Sequence, residues 1–163
     1  MSTVRIRAAA RRDAARIAEM ANALNRYHGM DDRVFTAEAV ARDGFGRRAA
    51  FHCLLALLDG ETVGYAMYHE CYNSDVARRG VWLVDLYVEE RARSHGIGRR
   101  LMAALARDTL ARDAVSLWWG VSDKNSSARR MYAGLGAHDY DYRLLEFERE
   151  DLERLAREDG AAD

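Results

Sequence analysis

The sequence predicts an α+β fold, a mixed and mostly antiparallel central sheet flanked by helices, with elements in the order βααβββαβαβ. Three observations predict it. Dense β-forming text fills the middle of the chain between Phe51 and Val88, stretches with apolar residues at helical spacing stand on either side, and no proline, repeat or linker divides the 163 residues.

Taken in order, Thr3 to Arg7 alternates apolar and charged residues as a strand does. Asp13 to Tyr27 carries Ile17, Ala21 and Leu24 on one helical face, and Asp13 suits the positive end of that helix. A second short helix is expected from Thr36 to Arg42. Phe51 to Leu58, a turn at Asp59-Gly60, Thr62 to Tyr72, a polar loop and Gly80 to Val88 then read as an antiparallel meander. Ile97, Leu101, Ala104 and Leu105 restore the helical period from Gly96 to about Arg112. A strand at Val115 to Val121 follows. The next helix spans Ser126 to Leu135, with Gly136 as its left-handed cap, and a final strand from Tyr142 to Phe147 closes the sheet. Glu150 to Arg157 predicts a short terminal helix, with residues 158–163 fraying.

The chain is 49% hydrophobic and 31% charged, which fits one compact domain over residues 1–163. Lys and Arg number 25 against 26 Asp and Glu, so there is no basic excess to neutralise a phosphate backbone and nucleic acid is not an expected partner. No apolar run suits a signal segment or a bilayer span, and Asp13 and Glu19 break the acid-poor pattern of a transit peptide. A soluble, cytoplasmic protein is expected, without a membrane partner. Cys53 and Cys71 lack CxxC spacing and read as buried free thiols. The five histidines are scattered without ligand-type pairs, so no metal is expected.

The segment VDLYVEERARSHGIGRRLM places a strand, a charged loop, a glycine-containing turn and a helix start in succession. The first turn of a helix offers unpaired N–H groups and a positive dipole end, so a diphosphate can dock there. Gly96 and Gly98 permit backbone conformations that hold anions, and Arg93 can add a charge-assisted bond. Taken alone, a glycine pair before a helix is more often a tight strand-to-helix connection. The segment is neither a P-loop nor a complete dinucleotide fingerprint, since GxxxxGK[ST] is absent and Leu101 stands where a third glycine belongs.

Arg93 to Gly98 matches the R-x-x-G-x-G/A motif, and Asn125 to Tyr132 matches the N-x-x-A-x-x-x-Y motif, of the GNAT superfamily of acetyltransferases, which the chain resembles from Val4 to about Phe147. DGFG at Asp43 to Gly46, FHCLLA from Phe51, VGYAMY from Val63 and DLYV from Asp85 resemble its spermidine/spermine and thialysine branch. The resemblance implies an acetyl-CoA-dependent N-acetyltransferase acting on a primary amine of a small molecule, a polyamine, a diamine or a thialysine-like amine, by direct attack in a ternary complex. It also implies a homodimer. An aminoglycoside or a protein amine is the alternative acceptor, and a catalytically silent acyl-CoA-binding module is the reading from another class.

By the same resemblance, Leu86, Tyr87 and Val88 would bind the pantetheine arm through backbone groups, Arg93, Ser94, His95, Gly96, Ile97, Gly98 and Arg99 the pyrophosphate, and Asn125 the cofactor from the following loop. Tyr132 would protonate the departing thiolate, a role suited to a weak acid; from its spacing alone it reads as a core aromatic. Tyr27 and His28 would line the acceptor site. The amine must lose a proton, because a free alkylamine has a pKa of about 10.4. Polyamine-acetylating relatives carry a glutamate where this sequence has Val84. Asp85 remains to bind or deprotonate the amine, but strand alternation turns it from the face of Val84 unless a bulge re-aims it.

Overall fold

The computed structural model describes residues 2–159, and five strands form its single sheet in the spatial order β1-β2-β3-β4-β5. β1 (Val4–Ala8), β2 (His52–Leu58), β3 (Glu61–Asn73) and β4 (Arg78–Val88) pair antiparallel in succession, and β5 (Ser116–Trp119) runs parallel to β4. The β2–β3 connection is tight because Asp59 and Gly60 both take positive φ, 50° and 90°, the geometry that matches the twist of paired strands.

Helices α1 (Ala14–Tyr27) and α2 (Ala37–Gly44) cover one face. Ile17, Met20, Leu24 and Val40 pack there with Leu55, Tyr65 and Met67. Helix α3 (Ile97–Ala111) and α4 (Ser126–Ala133) bring Ile97, Leu101, Leu105 and Tyr132 against Leu54, Ala66, Val81 and Leu83 on the other face. Neighbours such as Leu54 and Leu55 therefore serve opposite cores, as the period of two demands. Each large side chain buried this way is worth about 1.5–3 kcal/mol, which fixes the register of the central strands.

The helix ends show what local chemistry decides. Thr36 caps α2 by accepting the Ala39 N–H at 3.1 Å. Asp13 does not cap α1 by its side chain: its carboxylate binds Arg7 at 2.7 and 2.8 Å and the Ala10 N–H at 2.8 Å, across a short 3-10 turn at Arg11–Asp13. Helix α4 ends two residues earlier than its apolar spacing suggests, yet Gly136 is left-handed (φ 82°), and the Ala137 N–H reaches back to the Tyr132 carbonyl at 3.1 Å.

The expected final strand, Tyr142 to Phe147, is not formed, so the described order ends β5-α4-α5, with α5 at Arg149–Asp159. A strand exists only where a ladder partner exists, and β5 is bonded to β4 alone. Tyr142, Leu144, Leu145 and Phe147 stand 87%, 86%, 89% and 59% exposed, with apolar residues on both alternating faces. β5 is also shorter than Val115 to Val121. Cys53 is buried, Cys71 is half-buried, and both are free thiols. The fraying expected over residues 158–163 falls mostly outside the described residues; Glu158 and Asp159 continue α5.

Candidate active site

Strand β4 organises the site because it has two partners over one half and one over the other. Gly80 to Leu83 pair with Ser116 to Trp119, after which the two parallel strands part. On the opposite edge, pairing with β3 continues to Gly64↔Val88. Val84 to Val88 thus keep a β5-side edge without ladder partners, and Leu86, Tyr87 and Val88 lie on it. That edge offers backbone donors and acceptors to an extended ligand.

At the point of parting, β4 carries one extra residue. Tyr68 pairs with Leu83 and Met67 with Asp85, which leaves Val84 unpaired as a β-bulge, 48% exposed. Without it Asp85 would share the α3 face with Leu83. With it, Asp85 moves to the α1 face, opposite Met67.

There the Tyr65 hydroxyl donates to Asp85 Oδ2 at 3.0 Å. Burial raises the Asp85 pKa above the ordinary carboxylate value, while the Tyr65 bond and the nearby His28 charge pull it the other way. Burial, then Asp85, pushes the Tyr65 hydroxyl far above the phenol range, so it stays a donor. His28 follows the last residue of α1, and its ring centroid is 5.5 Å from that of Tyr27.

Beyond Val88 the chain makes a 3-10 turn at Glu90–Ala92, pinned by the fully buried Ala92. Ser94 and Gly96 then take left-handed φ, 71° and 68°, and α3 begins. No side chain caps it, and the Arg100 N–H, bonded to Gly96 O at 3.1 Å, starts its ladder. The N–H groups of Ile97, Gly98 and Arg99 precede that bond and are free for an anion. Gly96 meets nothing within 4 Å where a Cβ would stand, so its value is conformational. Gly98 differs: a Cβ there would lie 3.0 Å from Met131 Sδ, so glycine at this position lets α4 approach α3.

Arg93 donates to the Val88 carbonyl at 3.2 Å and lies 5.6 Å from the Tyr27 ring centroid. It joins the end of α1 to the turn. His95 Nδ1 is 3.2 Å from the Ala92 carbonyl and 3.1 Å from that of Arg93. Asn125 Oδ1 caps α4 by accepting the Ala128 N–H at 3.1 Å. Tyr132 is 9% exposed, its ring 4.9 Å from that of Trp119, the last residue of β5, and burial raises its pKa so that it keeps its proton.

Two groups of sequence-expected residues are thereby assembled: Tyr27, His28 and Asp85 on the α1 face, and the 93–99 turn with Tyr132 on the α3 face. Arg93 of the turn, stacked near the Tyr27 ring, links the two groups. Sequence reasoning missed Tyr65, Trp119 and Met131. A tyrosine inside a strand of buried residues signals a hydroxyl that needs a partner, but only the strand register identifies Asp85. Glu70, an acid on the same strand, is engaged by Arg79 and Arg112 at 3.1 and 2.7 Å. Among the described residues no three His, Cys, Asp or Glu side chains gather as a metal site would require.

Comparison with known proteins agrees with this architecture. The family model for the acetyltransferase (GNAT) family matches residues 15–137. The chain is 32% identical to thialysine N-epsilon-acetyltransferase of Sus scrofa, over 96% of this chain and 99% of that one. It is 29% identical to spermidine/spermine N(1)-acetyltransferase-like protein 1 of Homo sapiens, over 80% of this chain and 20% of that longer one. Among solved structures, an integron cassette protein from the mobile metagenome of V. cholerae superimposes with a TM-score of 0.79 at 23% identity, covering 94% of this chain and 98% of that one.

Proposed function

The chain belongs to the GNAT family of acetyltransferases, and from that premise we propose that it moves an acetyl group from acetyl-CoA to a primary amine of a small molecule, a polyamine, diamine or thialysine-like compound. The observation that carries this reading is the parting of β4 from β5 at Leu83/Trp119, with a helix N-terminus beyond one end and Tyr132 beside the other. Likeness to a thialysine N-epsilon-acetyltransferase and to a spermidine/spermine N(1)-acetyltransferase-like protein supports an amine of this kind.

The residues fit the co-substrate. The left-handed pair Ser94 and Gly96 opens a first helical turn with unpaired N–H groups, which suits a pyrophosphate, with Arg93 and Arg99 adding positive charge. The free edge of Leu86, Tyr87 and Val88 suits the amide-bearing pantetheine arm, and Asn125, which caps α4, would contact the cofactor from the loop after β5. Acetyl-CoA supplies an activated acyl carbon with a thiolate leaving group.

The chain's own groups handle the protons. Asp85, raised by burial, holds the acceptor ammonium beside Tyr27 and His28 and takes or relays its proton, so that the neutral nitrogen can bond to the acyl carbon; the second proton, shed by nitrogen once that bond has formed, passes to solvent. As the carbon–sulfur bond breaks, Tyr132 gives its proton to the thiolate and regains one from solvent. Val84 leaves one carboxylate where polyamine enzymes have two, which favours a short amine over a long polycation.

The protein acts as one domain, in the cytoplasm, and as a homodimer: a second copy would cover the apolar side chains exposed between Tyr142 and Phe147. The deciding experiment is CoA release from acetyl-CoA with a panel of amines, for the wild type and Tyr132→Phe. Turnover with a small amine, reduced about 10²-fold or more in Tyr132→Phe, is expected. Acetyl-CoA binding without turnover on any amine would make the chain a silent acyl-CoA-binding module, and an unchanged rate in Tyr132→Phe would remove the assignment of the acid.

A further inference from the structure

We infer that Tyr65 is a positioning residue for acetyl transfer, holding one oxygen of Asp85 so that the other faces the acceptor amine as an ionised carboxylate. This rests on the reading of Asp85 given above and adds the group that makes Asp85 usable.

Tyr65 is fully buried in the layer between α1 and the sheet, where a hydroxyl is costly unless bonded. A phenylalanine would fill that core without this requirement. The hydroxyl's partner is Asp85 Oδ2 at 3.0 Å, and none of the described residues donates to Oδ1. The contact depends on the bulge: Tyr65 pairs with Tyr87 and Met67 with Asp85, so Tyr65 and Asp85 are diagonal neighbours on one face only because Val84 is the extra residue. The groups around the Asp85 carboxyl are Tyr65 of β3, Cys53 of β2 and His28 at the end of α1, with Tyr87 of β4 beside the Tyr65 ring. Of these, Tyr65 alone bonds it directly, and Cys53 and Tyr65 both stay protonated because burial raises them. Burial by itself would drive Asp85 towards its neutral form, which can neither anchor an ammonium nor accept a proton. The Tyr65 bond opposes that shift and fixes the carboxylate's rotation.

The test compares wild type, Tyr65→Phe, Asp85→Asn and the double variant. Carbon-13 NMR titration of the Asp85 carboxyl in the protein alone should show its pKa rising by about one unit in Tyr65→Phe, the size expected for loss of a hydrogen bond to a charged group. The acid limb of kcat/KM for the amine should move up with it, while the KM for acetyl-CoA stays unchanged. In the Asp85→Asn background the second substitution should change neither kcat nor the profile. An Asp85 titration and acid limb identical to wild type in Tyr65→Phe, or an equal further loss of rate in the Asp85→Asn background, would reduce Tyr65 to a core residue. Unaltered amine kinetics in Asp85→Asn would overturn the role of Asp85 itself, and with it this inference.

Discussion

Gly98→Val distinguishes two reasons for glycine at the start of α3. If the residue is small so that α4 can pack, the relevant neighbour is Met131, whose Sδ and Cε lie 3.0 and 3.7 Å from an added Cβ. Alanine then requires the sulfur to move by a few tenths of an ångström, a shift that a half-buried methionine can make. Alanine also removes a helical glycine, worth about 1 kcal/mol, so Gly98→Ala should be close to neutral. Valine adds two methyls at the same contact, and overpacking of this kind costs about 1–3 kcal/mol. For a chain of this size that is a fall in Tm of roughly 2–10 °C. The strain falls on the first turn of α3, so acetyl-CoA affinity should weaken too. Met131→Ala combined with Gly98→Val should recover a large part of both losses, giving a coupling of about 1 kcal/mol or more between the two sites. Thermal melting and calorimetric titration with acetyl-CoA, on all four proteins of the cycle, measure it. Additive losses would refute the packing argument and return Gly98 to direct contact with the pyrophosphate. Normal acetyl-CoA binding by folded Gly98→Val would refute the assignment of the turn.

Two further outcomes test other parts of the structure. Arg7, with the Ala10 N–H, holds Asp13 at a pKa of about 2, below the ordinary 3.8. A depressed carboxylate contributes stability that is fully present above pH 3.8 and is lost as pH falls through 2. This is about 2 kcal/mol before solvent screening and less after it. Asp13→Asn should therefore lower stability at neutral pH and narrow its deficit against wild type between pH 4 and 2; a constant deficit in acid denaturation would show that Asp13 acts other than through its charge. Light scattering should find a dimer for the wild type and a monomer for Leu144→Glu/Leu145→Glu, both residues being almost fully exposed in the single chain. A monomeric wild type would remove the dimer.

The sheet was legible from Phe51 to Val88 because alternation and an Asp-Gly turn are local signals, and both were followed by the chain. The helices were legible because their apolar spacing matches the faces they bury. The 93–98 turn stood out because it matches the R-x-x-G-x-G/A motif ahead of a helix; the glycine pair alone marks only a tight connection. The segment from Tyr142 to Phe147 is rich in strand-forming residues but places them on both faces, and it forms no strand, since composition says nothing of whether an edge is available to it.

What the sequence determined by itself was the α+β class, every helix and all strands but the last, the glycine turn ahead of α3 and, through the Asn125–Tyr132 and Arg93–Gly98 motifs, the resemblance to acetyltransferases. What only the tertiary structure decided was how those parts meet: that Val84 is a bulge, that Asp85 consequently shares a face with Tyr65 and lies near His28, that Gly98 touches Met131, and that β4 leaves β5 at Leu83. The physical reason is register. A one-residue slip between β3 and β4 moves Asp85 from one face of the sheet to the other, and that slip is set by the burial of side chains from both cores rather than by anything local to Asp85.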